Sequence, residues 1–164
     1  MLLNKRSKFF NTTLISFVLL AVSLNSWSDG HRNHDAANHT DTAKMMHDFI
    51  GNFVKVFNEG DADTIAALYT EDAIWSVAGL SEPVYGRVAI QAGMKSNADG
   101  SIAGAILDVE VFTPHDLWNG FLLGNGSWSQ RDAAGAIVDG GLWGDVFQFV
   151  DGERLLHLES TSSN

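Results

Sequence analysis

Asp145 stands in Trp143-Gly144-Asp145-Val146-Phe147-Gln148-Phe149, where Trp143, Asp145, Phe147 and Phe149 alternate onto one face of a strand. A carboxyl among aromatic rings loses hydration, which favours its protonated form. Such a group can donate a hydrogen bond to a developing oxyanion, or act as a base near neutral pH. The plainer alternative is an Asp bonded to a backbone or Trp N–H, or one facing solvent beside Gly144. His157 and Glu159 lie two residues apart on the last strand, so the carboxylate can orient the imidazole for acid/base work. A register slip of one residue would turn both outward, as a solvated or dimer-facing pair. Trp75, Trp118, Trp128 and Trp143 can stack on a planar ligand or simply fill a core, and Trp75 and Trp143 are the best placed for a pocket. A separate chemistry sits near the start. If the chain is cut after Ser28, Asp29-Gly30-His31 offers an amine, two backbone amides and an imidazole, a square-planar set suited to Cu(II) or Ni(II). His34 and His39 can add ligands; the alternative is a solubilising tail.

That cut is itself an expectation. Lys5, Arg6 and Lys8 precede an apolar run, Leu14 to Leu24, and Ser26-Trp27-Ser28 puts small residues at −3 and −1. The run is too short to span a bilayer as a helix, which takes about 20 residues. Residues 1–28 therefore read as a secretory signal, and the protein as exported, periplasmic or secreted. Loss of Lys5, Arg6 and Lys8 takes the net charge from −10 to −13. Either value argues against nucleic acid and against anionic membrane as partners, since both need a basic surface. It also makes a large anionic ligand a poor fit. The absence of cysteine excludes disulfides, thiolate nucleophiles and thiolate metal sites. With 45% hydrophobic residues, the chain can bury a core.

The elements that must position these side chains follow from periodicity. Residues 29–40, DGHRNHDAANHT, read as a polar tail. Thr40 or Asp41 can cap a first helix whose Met46, Phe49, Ile50, Phe53 and Phe57 form one apolar face. Gly60 ends it and Asp61 caps a short helix over 62–69, with Tyr69 inward. A strand over 73–77 puts Trp75 and Val77 on one face, and a third helix is expected over 87–97. Strands follow over 106–113, 117–131, 142–150 and 154–160, joined by turns at Asp132–Gly135 and Asp151-Gly152. Gly124 and Gly126 suggest a bulge or curvature in the long strand. Three helices then a run of antiparallel strands is an α+β layout. No nucleotide loop, zinc-protease motif or nucleophile elbow appears.

Three segments, FNEGDADTIAALYTEDAIWSV (57–77), EPVYGRVAI (82–90) and GLWGDVFQFVDG (141–152), together resemble the nuclear transport factor 2-like superfamily, and within it the SnoaL-like and ketosteroid isomerase-like bacterial branch. The resemblance covers roughly residues 41–162. It implies a cone-shaped, curved antiparallel sheet wrapped on three N-terminal helices (a cystatin-like roll), with an apolar pocket at the wide end. It also implies a homodimer formed through the outer face of the sheet. Members include isomerases, polyketide cyclases, dehydratases, epoxide hydrolases and non-catalytic binding domains, so fold alone does not assign an activity. In the isomerases a base Asp matches Val77 here, and the oxyanion-hole Tyr matches Phe53. The third group, a protonated Asp, matches Asp145. The resemblance thus implies a pocket over Phe53, Trp75, Val77, Trp128, Trp143 and Phe147, without steroid-isomerase machinery. Asp145 and His157 are its candidate catalytic groups, and its partner a small hydrophobic or aromatic molecule. No cofactor is expected in the domain. The rival reading is a non-catalytic binding or assembly module acting through its sheet face.

Overall fold

The apolar side chains that recur along the first helix lie on its sheet-facing side: Met46, Ile50, Phe53 and Val56 are all buried. In the computed structural model, which describes residues 32–99 and 104–164 with side chains from residue 41 onward, this helix α1 runs Arg32–Glu59. It begins earlier than expected. Most of the stretch read as a tail is helical, and Thr40 and Asp41 are interior residues rather than caps. The expected signal segment and Asp29 to His31 lie outside the described residues. Gly60 adopts φ 72° and closes α1, its N–H bonding to the Phe57 carbonyl. Asp61 caps α2 (Ala62–Ala67) by accepting from the Thr64 N–H at 3.0 Å. No helix among the described residues is long and apolar enough to cross a membrane.

The chain continues as β1 (Tyr69–Ser76), β2 (Val84–Tyr85), α3 (Arg87–Lys95), β3 (Ile106–Val111), β4 (His115–Asp116), β5 (Phe121–Arg131), β6 (Ile137–Val150) and β7 (Glu153–Ser163). β1 starts at Tyr69, so that residue belongs to a strand and not to the short helix. The strands form one curved, unclosed sheet in the order β2-β1-β7-β6-β5-β3, with β4 beside β5. The long meander β5–β6–β7 is antiparallel, as its hairpin turns require. β1 joins parallel to β7, so the sheet is mixed. That pairing follows from connectivity: a helix and several strands separate β1 from β7, leaving room for a crossover.

The core lies between α1 and the concave side of the sheet, where Leu107, Leu122, Trp143, Phe147 and Leu156 meet the α1 stripe. Gly124 and Gly126 produce no break in register, since β5 pairs with β6 continuously from Phe121 to Gln130. They permit close approach instead. A Cβ at Gly124 would stand 2.9 Å from Met46 of α1, and one at Gly126 would collide with the Glu110 carbonyl and the Trp143 indole.

Candidate functional site

β6 sends Trp143, Asp145 and Phe147 inward, and all three are buried. Phe149, expected on the same face, is exposed where the strand leaves the core, and Arg154 stacks over its ring. On β7 the simple alternation fails. Val146 pairs with Leu158 and its neighbour Phe147 pairs with Leu156, so His157 is an extra residue with no partner on β6. This bulge turns Leu156 and Glu159 inward together. A larger irregularity in β1, between Tyr69 and Ile74, lets Tyr69 point inward at the same level.

The result is a polar group within an apolar wall. Tyr69 is fully buried and its hydroxyl donates to Glu159 Oε2. Trp75 also hydrogen-bonds Glu159 through its side chain. Asp145, 5% exposed, accepts from the Ser160 N–H through Oδ1 at 3.0 Å. Burial pushes the Asp145 carboxyl well above the usual carboxylate range, and the neighbouring Glu159 charge pushes the same way. Burial likewise raises Glu159, to about 7, while the Tyr69 and Trp75 donors hold it down. The Tyr69 phenol is raised by burial and by Glu159, so it stays protonated as a donor. Two carboxyls that share a buried site cannot both ionise cheaply, and they titrate as a pair.

The pair lines a cavity of about 100 Å³ between α1 and the sheet. Of the residues expected in a pocket, Phe53, Trp75, Val77, Trp128, Trp143 and Asp145 line it. Phe147 does not: it is fully buried beneath, edge-on to Phe49 with centroids 5.0 Å apart. His157 is not brought to the cavity either. The bulge directs it away, with Nδ1 3.1 Å from Thr70 Oγ1 and 3.5 Å from Asp72 Oδ1, against the edge of Phe121. It therefore does not pair with Glu159. Trp118 is exposed and takes no part. His34 falls where only the α1 backbone is described, and His31 outside the described residues. Among the described residues no three His, Asp or Glu side chains group to hold a metal.

Sequence reasoning missed Tyr69, which holds Glu159 from behind, and Asp99 and Asp139, which line the cavity. It weighed Glu159 only as a partner for His157. No periodicity signals these positions. The available hint was chemical: Glu159 is an acidic residue midway along the strand, directly after Leu158 and before a run of small residues.

No family model matches the chain, and no curated protein matches it by sequence. Solved structures do match. Aln2 from a Streptomyces species superposes with a TM-score of 0.63 at 19% identity, over 74% of this chain and 90% of that one. ActVI-ORFA from Streptomyces coelicolor gives 0.64 at 17% identity, over 74% and 96%. A nuclear transport factor 2-like protein with a cystatin-like fold from Novosphingobium aromaticivorans gives 0.62 at 13% identity, over 83% and 90%. At such identities the shared property is the fold. The chain has the nuclear transport factor 2-like, cystatin-like fold that its three sequence segments suggested.

Proposed function

We propose that this protein binds a small hydrophobic or aromatic molecule in the cone and moves a proton on it, in isomerase-, cyclase- or lyase-type chemistry. The observation that carries this reading is the buried Asp145–Glu159 pair in an aromatic cavity. The two environments differ: Glu159 has two donors that favour its carboxylate, whereas Asp145 has one backbone N–H. Glu159 is then the base and Asp145 the protonated donor. On a ligand ketone, Glu159 would take a proton from the carbon beside the carbonyl while Asp145 gives its proton to the oxygen. Delivery of the Glu159 proton to a different carbon of the enol, with the oxygen's proton returning to Asp145, completes an isomerisation. The signal-like first 28 residues support an exported protein, periplasmic or secreted.

The test is α-deuteration of small aryl ketones in heavy water, followed by NMR, with tryptophan fluorescence reporting binding. Wild type should exchange, and Asp145→Asn and Glu159→Gln should each lose roughly 100-fold or more. Binding without exchange would leave a binding module and overturn the catalytic part. The absence of both would overturn the reading.

A second reading, assembly through the sheet, has its own support and can coexist with the first. Leu123, Val146, Leu158 and Ile74 pair in register across four strands, forming one half-buried apolar row on the outer face. A second copy of the chain would cover it, giving a homodimer. Sedimentation should find a dimer that Leu158→Lys converts to a monomer; a monomeric wild type refutes this.

A further inference from the structure

The cavity is one-sided in charge and in hydrogen bonding. Four carboxyl residues line it, Asp99, Asp139, Asp145 and Glu159, and no Lys, Arg or His does so among the described residues. Its indole N–H donors are already engaged. Trp143 donates its indole proton to the Glu110 carbonyl at 3.0 Å, and Trp128 donates to the Ser162 carbonyl at 3.2 Å. Trp75 and Tyr69 are both committed to Glu159. Asp145 is buried, yet only its Oδ1 accepts a hydrogen bond among the described residues; Oδ2 is left unpartnered beside the cavity. What remains for a ligand is an acceptor-rich lining with aromatic walls. The Phe53 and Phe57 rings, stacked with centroids 6.1 Å apart, close the helix side.

A carboxylate ligand would meet four carboxyls and no cation, and a carbonyl would find Asp145, in its protonated form, as its main donor. An ammonium group supplies its own donors and its positive charge suits both carboxylates and ring faces. We propose that the cavity recognises a small organic cation, a protonated amine carried on an apolar or aromatic body. This deepens the reading of the cone as a ligand site and rests on it. It also gives the buried carboxyls a counter-charge. The groups facing them are Tyr69 from β1, Asp139 from the start of β6 and Asp99 after α3, while α1 offers only Ile50, Phe53 and Phe57. No cation faces them in the described protein. A bound ammonium therefore favours their ionised forms, and binding should release a proton from the pair.

The experiment is calorimetric titration of the full chain with three matched probes: benzylamine, benzyl alcohol and benzoate. At about pH 8 the amine is still largely protonated, and it should bind at least about tenfold tighter than the alcohol. Benzoate should not bind. Amine affinity should fall as pH is lowered towards about 5, and the heat should vary with the ionisation enthalpy of the buffer, reporting proton release. Asp145→Asn should weaken the amine and spare the alcohol. Asp139→Asn, at the less buried rim, should do so more mildly, which keeps the test informative if the Asp145 variant folds poorly. Equal or tighter binding of the alcohol, or no buffer dependence, would overturn the cation proposal while leaving the cavity as a ligand site. Failure of all three probes would overturn both.

Discussion

Glu159→Gln removes one ionisable group from the centre of the fold while keeping its shape and an oxygen that can accept from Tyr69 and Trp75. In the folded chain burial lifts Glu159 from its ordinary value of 4.5 to about 7. Below about 4.5 the carboxyl is protonated in both folded and unfolded states, and the variant should match wild type. Between about 4.5 and about 7 the unfolded chain loses this proton while the folded chain keeps it, so wild-type stability falls as pH rises. Above the folded value both states are ionised and the deficit is constant. Raising a carboxyl by one pH unit on folding costs about 1.4 kcal/mol once it ionises, so the deficit reaches about 3 kcal/mol at most. Glu159 is only 9% exposed, so solvent screening takes little from this figure. Asp145, raised by the same burial, should add to the slope in the same direction. Urea denaturation at a series of pH values measures the effect through the midpoint at constant slope. Glu159→Gln should be the more stable protein at about pH 8, and the two should converge near pH 4. A wild-type stability that is flat or rises from about pH 4.5 to 7, or a variant no more stable than wild type at pH 8, would refute a buried carboxyl held against its ionisation.

Two further substitutions test the elements that build the cone. Asp61→Ala removes the side chain that caps α2 through Thr64, and should lower the denaturation midpoint at unchanged slope. Gly126→Ala places a methyl group on the Glu110 carbonyl and the Trp143 indole. It should destabilise by about 1–3 kcal/mol and redden the tryptophan emission as the Trp143 hydrogen bond opens to water, both readable in one fluorescence-detected melt.

Much of the fold was legible because it rests on short-range rules. The α1 stripe from Met46 to Phe57, the left-handed Gly60, the Asp61 cap and the Asp151-Gly152 turn all act within a few residues of themselves. The inward set Trp143, Asp145 and Phe147 follows from the strand period alone. Errors arose at the ends of elements. Thr40 and Asp41 look like caps, yet the helix runs through them to Arg32. Tyr69 looks like the last turn of α2, but the Leu68 carbonyl receives the Leu156 N–H, and pairing with β7 draws the chain into a strand there.

The candidate site was harder to read because it depends on an insertion of one residue. Counted by twos, Phe147 on β6 faces Leu156 on β7, and Asp145 two residues earlier should face Leu158. The bulge at His157 adds a residue between them. It moves Leu158 to the outer face beside Val146 and turns Glu159 into the cone, where Tyr69 and Trp75 meet it. Without that insertion the inward row would be Leu156, Leu158 and Ser160, and Asp145 would be a lone carboxyl beside leucine. A bulge also consumes a residue that pairs with nothing on one side, and His157 instead hydrogen-bonds Thr70, with the Asp72 carboxylate 3.5 Å away. The imidazole that looked like the catalyst by residue type is thus the spacer that seats the carboxyl. The same inserted residue sets both faces of the sheet, since the Leu158 that completes the outer apolar row is the one displaced when Glu159 turns in.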